Sequence, residues 1–148
     1  AVIEYARHVV GLTEAHTTEV NQKTTQPVVD IMSEQKENLR KKNYGATMRL
    51  GHYEAKVLPK TLAAKAYGTE KILERHRHRY EFNNDYREEM DAAGLQVVGI
   101  NPETDLVEIV ELANHPYFVG VQFHPEFKSR PMRPHPLFVG LVKAALHM

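Results

Sequence analysis

The sequence predicts an α/β layered domain, with helices near both chain ends covering a mixed sheet. Three observations lead there. Apolar residues Val2, Tyr5, Ala6, Val9 and Val10 recur at helical spacing, and so do Leu137, Phe138, Leu141, Val142, Ala145 and Leu146. Between these ends lie short apolar runs at 95–100, 106–112 and 117–123, parted by Asn101-Pro102 and Asn114-His115-Pro116, which read as strands and turns. A chain of 148 residues with no internal repeat and no interdomain linker is enough for one domain with its own core.

The first helix stops at Gly11, a residue that closes helices in the left-handed conformation. No Ser, Thr, Asp or Asn precedes it to cap its first N–H groups. The chain is therefore expected to be part of something longer, with processing or a cloning boundary as the plainer alternative. Residues 13–26 are polar and read as a loop ended by Pro27; the β-branched run 28–32 reads as a buried strand. Residues 33–43 are charged and nearly free of apolar side chains, as in an exposed excursion.

Two short strands are expected around Gly51 in 47–57, then a short helix over 61–67 with Thr61 as cap and Gly68 just past its end. Residues 72–82 are extended and dense in charge. Asp85 and Glu88 form a D-x-x-E capping box ahead of Tyr86, Met90 and Ala93, with Gly94 as terminator. The run 106–112 does not alternate cleanly, so its length and flanking turns make it a strand. Pro136 opens the last helix at the position proline favours. That helix is too short to cross a bilayer, so its apolar face is expected to pack on the sheet.

Lysine plus arginine and aspartate plus glutamate stand at 19 each, so no net field points to nucleic acid or an anionic membrane. No apolar run approaches membrane-spanning length and no signal-peptide pattern opens the chain. A soluble cytoplasmic protein is expected. Cysteine is absent, which excludes disulfides, thiolate metal sites and a cysteine nucleophile within these residues.

Three clusters can carry chemistry. In Gln122-Phe123-His124-Pro125-Glu126-Phe127 an apolar strand delivers His124 to its C-terminal end, where ligands bind in open α/β sheets. Glu126 can fold back across Pro125 and accept a hydrogen bond from the imidazole, fixing its tautomer as in a nucleophile–His–acid triad. A plain turn at a strand end is the alternative. The second cluster runs from Glu74 to Glu81. On an extended strand Arg75, Arg77 and Arg79 share one face, His76 and His78 the other.

Half-buried arginine on a strand suits a carboxylate, bound bidentately, although without further context a solvated edge strand or an intramolecular ion-pair ladder is the preferred explanation. Two imidazoles on one face could share a metal ion, but no third ligand is indicated nearby. The third cluster, Thr17-Thr18-Glu19, offers in Glu19 either a partner for a cationic amino group or a surface carboxylate.

Read in order, these motifs resemble the C-terminal half of the class I glutamine amidotransferase domain of the CTP synthase family. The matching stretches are A-V-I-E-Y-A-R at 1–7, T-E at 18–19, G-A-T-M-R-L-G at 45–51, E-R-H-R-H-R-Y-E-F-N at 74–83, L-V-E-I-V-E at 106–111, H-P-Y-F at 115–118, Q-F-H-P-E-F at 122–127 and H-P-L-F at 135–138. The H-P-E element is common to the whole amidotransferase class. R-H-R-H-R-Y-E and G-x-T-M-R-L-G are much narrower.

The resemblance implies a partial class I amidotransferase fold with a mixed, mostly parallel sheet flanked by helices. It implies that a cysteine attacks the side-chain amide of L-glutamine and that the ammonia released passes to a synthase domain, where ATP activates UTP for conversion to CTP. His124 matches the triad histidine and Glu126 the triad carboxylate. Glu19 matches the group holding the substrate's amino end, and Arg79 the one holding its α-carboxylate. No cofactor is implied for this fragment; ATP and Mg2+, allosteric GTP and a homotetramer are implied for the full-length protein.

The helix matching residues 1–12 follows the nucleophile turn in that family. The cysteine, the adjoining oxyanion backbone and the synthase domain are thus expected outside the chain. On its own it is expected to be a poorly stabilised half-domain without glutaminase activity. Ala46 stands where a second glycine is usual and Val20 where an aromatic is common. Two other readings are a non-catalytic amidotransferase-like interaction or regulatory module and a His-rich metal hydrolase.

Overall fold

The computed structural model describes residues 1–31 and 48–146. Helix α1 (Val2–Tyr5) continues into a π-helical turn over Ala6–Val10 that ends at Gly11, whose φ of 90° takes the left-handed form. No side chain caps its start. Strands β1 (Ala15–Thr17) and β2 (Gln26–Ile31) follow. The expected loop over 13–26 therefore holds a short strand, which polar composition hid because only Ala15 of β1 is fully buried.

Strand β3 (Arg49–Val57) runs unbroken through Gly51, where two short strands were expected. A φ of 105° at Gly51 keeps the residue paired with His76, so the glycine absorbs a distortion without ending the strand. Helix α2 (Leu62–Tyr67) has the cap read from sequence: Thr61 accepts a hydrogen bond from the Ala64 N–H, and Gly68 closes the helix at φ 69°. The first two helical N–H groups, of Leu62 and Ala63, donate to the buried Glu111 carboxylate at 2.9 and 2.7 Å.

The charged stretch 72–82 divides into β4 (Lys71–His78) and β5 (Tyr80–Phe82). These belong to different sheets, so Arg79 stands where the chain crosses from one to the other. A 3-10 turn (Asn84–Tyr86) leads into α3 (Arg87–Ala92). The Asp85 capping box does not form. Asn83 does the capping, accepting from the Asp85 N–H at 3.1 Å, because the helical turn begins two residues earlier than the D-x-x-E pattern implies. The remaining elements are β6 (Leu95–Ile100), β7 (Val107–Leu112), β8 (Val119–Val121) and α4 (Pro136–Leu146). Only three residues of the expected strand 117–123 pair.

A five-stranded sheet has the order β4-β3-β6-β7-β8, and every neighbouring pair in it is antiparallel. A three-stranded sheet, β1-β2-β5, holds the one parallel pair among the described residues, β1 with β2. The expectation of a mostly parallel sheet is thus corrected. Parallel neighbours need a long crossover, whereas β6, β7 and β8 follow one another through short turns. The helix between β3 and β4 brings the chain back alongside in the opposite sense.

Consecutive residues of β6 and β7 face opposite ways and feed two cores. Val97 and Val110 join Ala6, Val28, Phe82, Met90 and Leu95; Val98 and Ile109 join Ala55, Ala63, Ile72, Phe123 and Leu137. Gly99 is required at the crossing of β6 and β7, since a Cβ there would lie 2.6 Å from the Ile109 side chain.

Helix α4 departs from its expected packing. Its buried side carries Leu137 and leans on α2 and Tyr117, while Phe138, Leu141, Val142 and Leu146 are exposed. Gly140 sets this seat, because any side chain there would collide with the Tyr117 ring, whose hydroxyl donates to the Leu137 carbonyl at 2.8 Å. The strand end at residue 32, the excursion at 33–43, residue 47 and Ala46 lie outside the described residues.

Candidate active site

After β8 the chain turns sharply at His124. Its backbone N–H donates to the Arg75 carbonyl on β4 at 2.9 Å, and Pro125 opens a 3-10 turn (Pro125–Phe127) that swings Glu126 back. The His124 Nδ1 then lies 2.7 Å from Glu126 Oε1. The imidazole stacks on Phe127 with centroids 4.7 Å apart and planes inclined by 12°. Its side chain is 34% exposed, so the ring is not sealed inside the core. With Nδ1–H donated to the carboxylate, Nε2 is left to face a reacting group, the arrangement a general base requires. The hydrogen bond from His124 holds the Glu126 carboxyl below the usual carboxylate range.

A buried node fastens this turn to β4. Glu74 Oε1 accepts from the Tyr67 hydroxyl at 3.0 Å, lies 3.1 Å from His135 Nε2 and 3.4 Å from Lys128 Nζ. Lys128 also donates to the Leu73 carbonyl at 2.5 Å. Burial pushes the Glu74 carboxyl up, but hydrogen bonds from His135 and Tyr67 and the Lys128 charge outweigh it and keep it below its ordinary value. The segment holding His124 and Glu126 is therefore pinned at residues 124 and 128.

Glu19 sits in the exposed turn after β1, its N–H donating to Thr17 Oγ1 at 3.2 Å. The preceding Thr18 donates from its backbone to the Val29 carbonyl and from its hydroxyl to Asp30, at 3.1 and 2.6 Å. Ile31 of β2 is paired with Tyr80, the neighbour of Arg79. Glu19 and Arg79 therefore emerge at the same end of the three-stranded sheet. Arg79 is half-buried. His124 and Glu126 are in direct contact, whereas Glu19 and Arg79 come together at one end of the three-stranded sheet.

Sequence reading did not find the ring of charged groups beneath this site. Arg49 on β3, His76 and His78 on β4, Glu81 on β5 and Glu108 on β7 close on one another. Arg49 donates to Glu108 Oε1 at 2.7 Å and to Glu81 Oε2 at 3.4 Å. His76 Nδ1 and His78 Nε2 are 2.7 Å apart, His78 Nδ1 lies 3.4 Å from Glu81 Oε1, and His76 Nε2 lies 3.7 Å from Glu108 Oε2. Arg49, His76, Glu81 and Glu108 are buried.

Burial, helped by the Arg49, His78 and His124 charges, pushes His76 down to about 3. Burial and the Arg49 charge push His78 down to about 4, against a backbone hydrogen bond to Tyr80. Burial pushes Glu81 up to about 7; Arg49 opposes this and the Glu108 charge adds to it. Burial also raises Glu108 against the pull of Arg49. The available signal was the irregular alternation of 106–112, where Glu108 and Glu111 interrupt an apolar run. Among the described residues no group of three or more His, Asp or Glu side chains could hold a metal ion. No described helix is long and apolar enough to cross a membrane.

Residues 1–144 match the family described as Glutamine amidotransferase class-I. The chain is 56% identical over 146 residues to a CTP synthase of Flavobacterium psychrophilum, covering 99% of this chain and 27% of that protein. It is 58% identical over 147 residues to a CTP synthase of Fibrobacter succinogenes, covering 98% and 26%. The chain thus spans about a quarter of the length of these curated relatives. A solved Trypanosoma brucei CTPS glutaminase domain with bound acivicin superposes with a TM-score of 0.89 at 38% identity, over 99% of this chain and 56% of that one. The sequence match along nearly the whole chain and this superposition agree: the chain belongs to the class-I glutamine amidotransferase family.

Proposed function

We propose that this chain is the glutaminase portion of a CTP synthase and that its thiol comes from polypeptide outside these 148 residues, which contain no cysteine. The observation that carries the reading is the His124–Glu126 pair, 2.7 Å apart with the second ring nitrogen open. Glu126 fixes the tautomer. His124 Nε2 takes the thiol proton as sulfur attacks the side-chain amide carbon of glutamine, then returns it to the departing nitrogen, leaving a thioester and ammonia. Water, deprotonated by the same imidazole, releases glutamate. Glu19 binds the α-amino group and Arg79 the α-carboxylate.

The ammonia aminates UTP in the rest of the parent protein, where ATP and Mg2+ act and GTP stimulates. That parent is a cytoplasmic homotetramer in this reading. An open apolar cavity of ≈ 260 Å³, lined by Ala1, Val29, Phe82, Val107 and Val121 among others, supports a further strand of the same polypeptide packing there. The 148 residues alone are expected to hydrolyse glutamine no faster than buffer. A non-catalytic module has no need for all four of His124, Glu126, Arg79 and Glu19.

In the full-length protein, Arg79→Ala is expected to raise the KM for glutamine about 10- to 100-fold, the weight of a lost charge-assisted contact of about 1.5–3 kcal/mol. Steady-state ammonia release measures it. An unchanged KM would move Arg79 from substrate binding to structure.

A further inference from the structure

Arg79 occupies the one residue between β4 and β5, at the passage between the two sheets. Both sides of that passage are held by the buried ring: His78 immediately before it and Glu81 two residues after it. The ring's other members, Arg49, His76 and Glu108, come from β3, β4 and β7. Whatever fixes the ring therefore fixes the backbone that presents Arg79.

Charge balance in a buried site sets the ring's proton count. At 2.7 Å, one of His76 Nδ1 and His78 Nε2 must carry a hydrogen and the other must not. If His78 Nε2 donates, its bare Nδ1 lies 3.4 Å from Glu81 Oε1 without hydrogen-bonding geometry, and a protonated Glu81 relieves the repulsion between the two lone pairs. If His76 Nδ1 donates, the roles reverse. The bare His76 Nε2 then lies 3.7 Å from Glu108 Oε2, again without a hydrogen bond, and a protonated Glu108 relieves the same repulsion. Either way, with both imidazoles kept neutral by burial, one proton shared by the two carboxyl groups balances the Arg49 charge and makes the buried ring neutral.

Were that proton lost, two carboxylates would face one guanidinium with both imidazoles neutral. Each imidazole would then turn its single N–H toward a carboxylate, and two lone pairs would meet at the His76–His78 contact. A buried negative charge in excess is costly, so the ring must open or shift.

We propose that Arg49, His76, His78, Glu81 and Glu108 hold a single shared proton, and that this proton keeps Arg79 placed to bind the substrate's α-carboxylate. These five are positioning residues, none of which touches substrate. The claim about Arg79 builds on its role under the proposed function. The raised Glu81 carboxyl and lowered imidazoles agree with this proton count. The other groups facing the ring are Tyr53, whose ring lies 4.4 Å from the Arg49 guanidinium and edge-on to His76, and His124, whose charge disfavours protonation of both imidazoles.

The test is the glutamine KM of the full-length protein between about pH 6 and pH 8, the range in which Glu81 would lose its proton. Wild type is expected to show a KM that rises about fivefold or more with pH, as the ring's net negative charge displaces Arg79 and opposes the substrate carboxylate. In Glu81→Gln the amide donates to His78 and accepts from Arg49 without an ionisable proton. Its KM is expected to stay at the low-pH wild-type value throughout. Glu81→Ala, lacking both contacts, is expected to show a KM raised about tenfold or more at every pH.

Infrared difference spectra of wild type against Glu81→Gln supply a readout free of substrate: a protonated-carboxyl band that titrates in the same range and is missing from the variant. A wild-type KM flat with pH, a Glu81→Gln KM that still follows pH, or no such band would overturn the proposal. Should the band titrate while Arg79→Ala leaves KM unchanged, the shared proton stands, its link to Arg79 is overturned, and the substrate role of Arg79 fails with it. Should Glu81→Ala not fold, the isosteric Glu81→Gln carries the test.

Discussion

Replacing His124 by alanine in the full-length protein is expected to lower the rate of glutamine hydrolysis about 10³-fold or more, with KM changed far less. One imidazole serves every proton transfer in the scheme: it takes the thiol proton, gives it to the leaving nitrogen, and activates the water that cleaves the thioester. Removing such a shuttle costs about 10²–10⁴-fold where it acts as general acid and base, and more where nucleophile and base act as a unit. The backbone should tolerate the change, because the turn is held by the His124 N–H to the Arg75 carbonyl and by Lys128, neither of which involves the imidazole. Synthesis of CTP from added ammonia, which bypasses the imidazole, should survive. A rate within tenfold of wild type would remove His124 from the mechanism.

Arg49→Ala is the largest effect expected on stability. It strips the guanidinium from two buried carboxylates beside the His76 and His78 imidazoles, and breaking a buried ion pair from one side costs about 3–5 kcal/mol. The loss should be greater near pH 8 than near pH 5, because acid lets both abandoned carboxyl groups take protons and become neutral. Calorimetry of the glutaminase-domain transition in the full-length protein at the two pH values measures it. A loss independent of pH would mean that Arg49 acts through packing on Tyr53 and not through charge.

The wild-type ring has its own pH dependence. His76 and His78 are depressed to about 3 and 4, so the stability tied to keeping them neutral is present above their ordinary value of 6.5 and is lost as acid approaches those values. Glu81 runs the other way: raised from 4.5 to about 7, it contributes most below 4.5 and loses that contribution as the pH climbs to 7. The two trends together favour a stability maximum slightly below neutrality.

Much of this was legible before the fold was seen. Thr61 and Gly68 bracket α2 as read, because a cap and a left-handed terminator are local signals. The two faces of β4 follow from its period of two, with His76 buried and Arg75 and Arg77 exposed. His124 and Glu126 meet because a proline between them leaves a turn that a two-residue spacing can close. Strand direction was not legible. It depends on which strands pair across space, and the family resemblance pointed toward a parallel arrangement that these elements do not have.

The seat of α4 was misread for a related reason. A large apolar face at Phe138, Leu141 and Val142 outweighs Gly140 in any hydrophobic pattern, yet it is the absence of a side chain at Gly140 that admits Tyr117. The charged ring was hidden by dispersal. Its members lie on four strands, and only their contacts across the two sheets reveal that they belong together.

The most direct measurement is mass spectrometry of the full-length protein after treatment with an electrophilic glutamine analogue, for wild type and His124→Ala. One covalent adduct is expected, on a cysteine outside these 148 residues, forming readily in wild type and far more slowly in the variant. An adduct on some residue within this chain, or one that forms at the same rate without the imidazole, would contradict the pairing of His124 with a thiol supplied from elsewhere in the polypeptide.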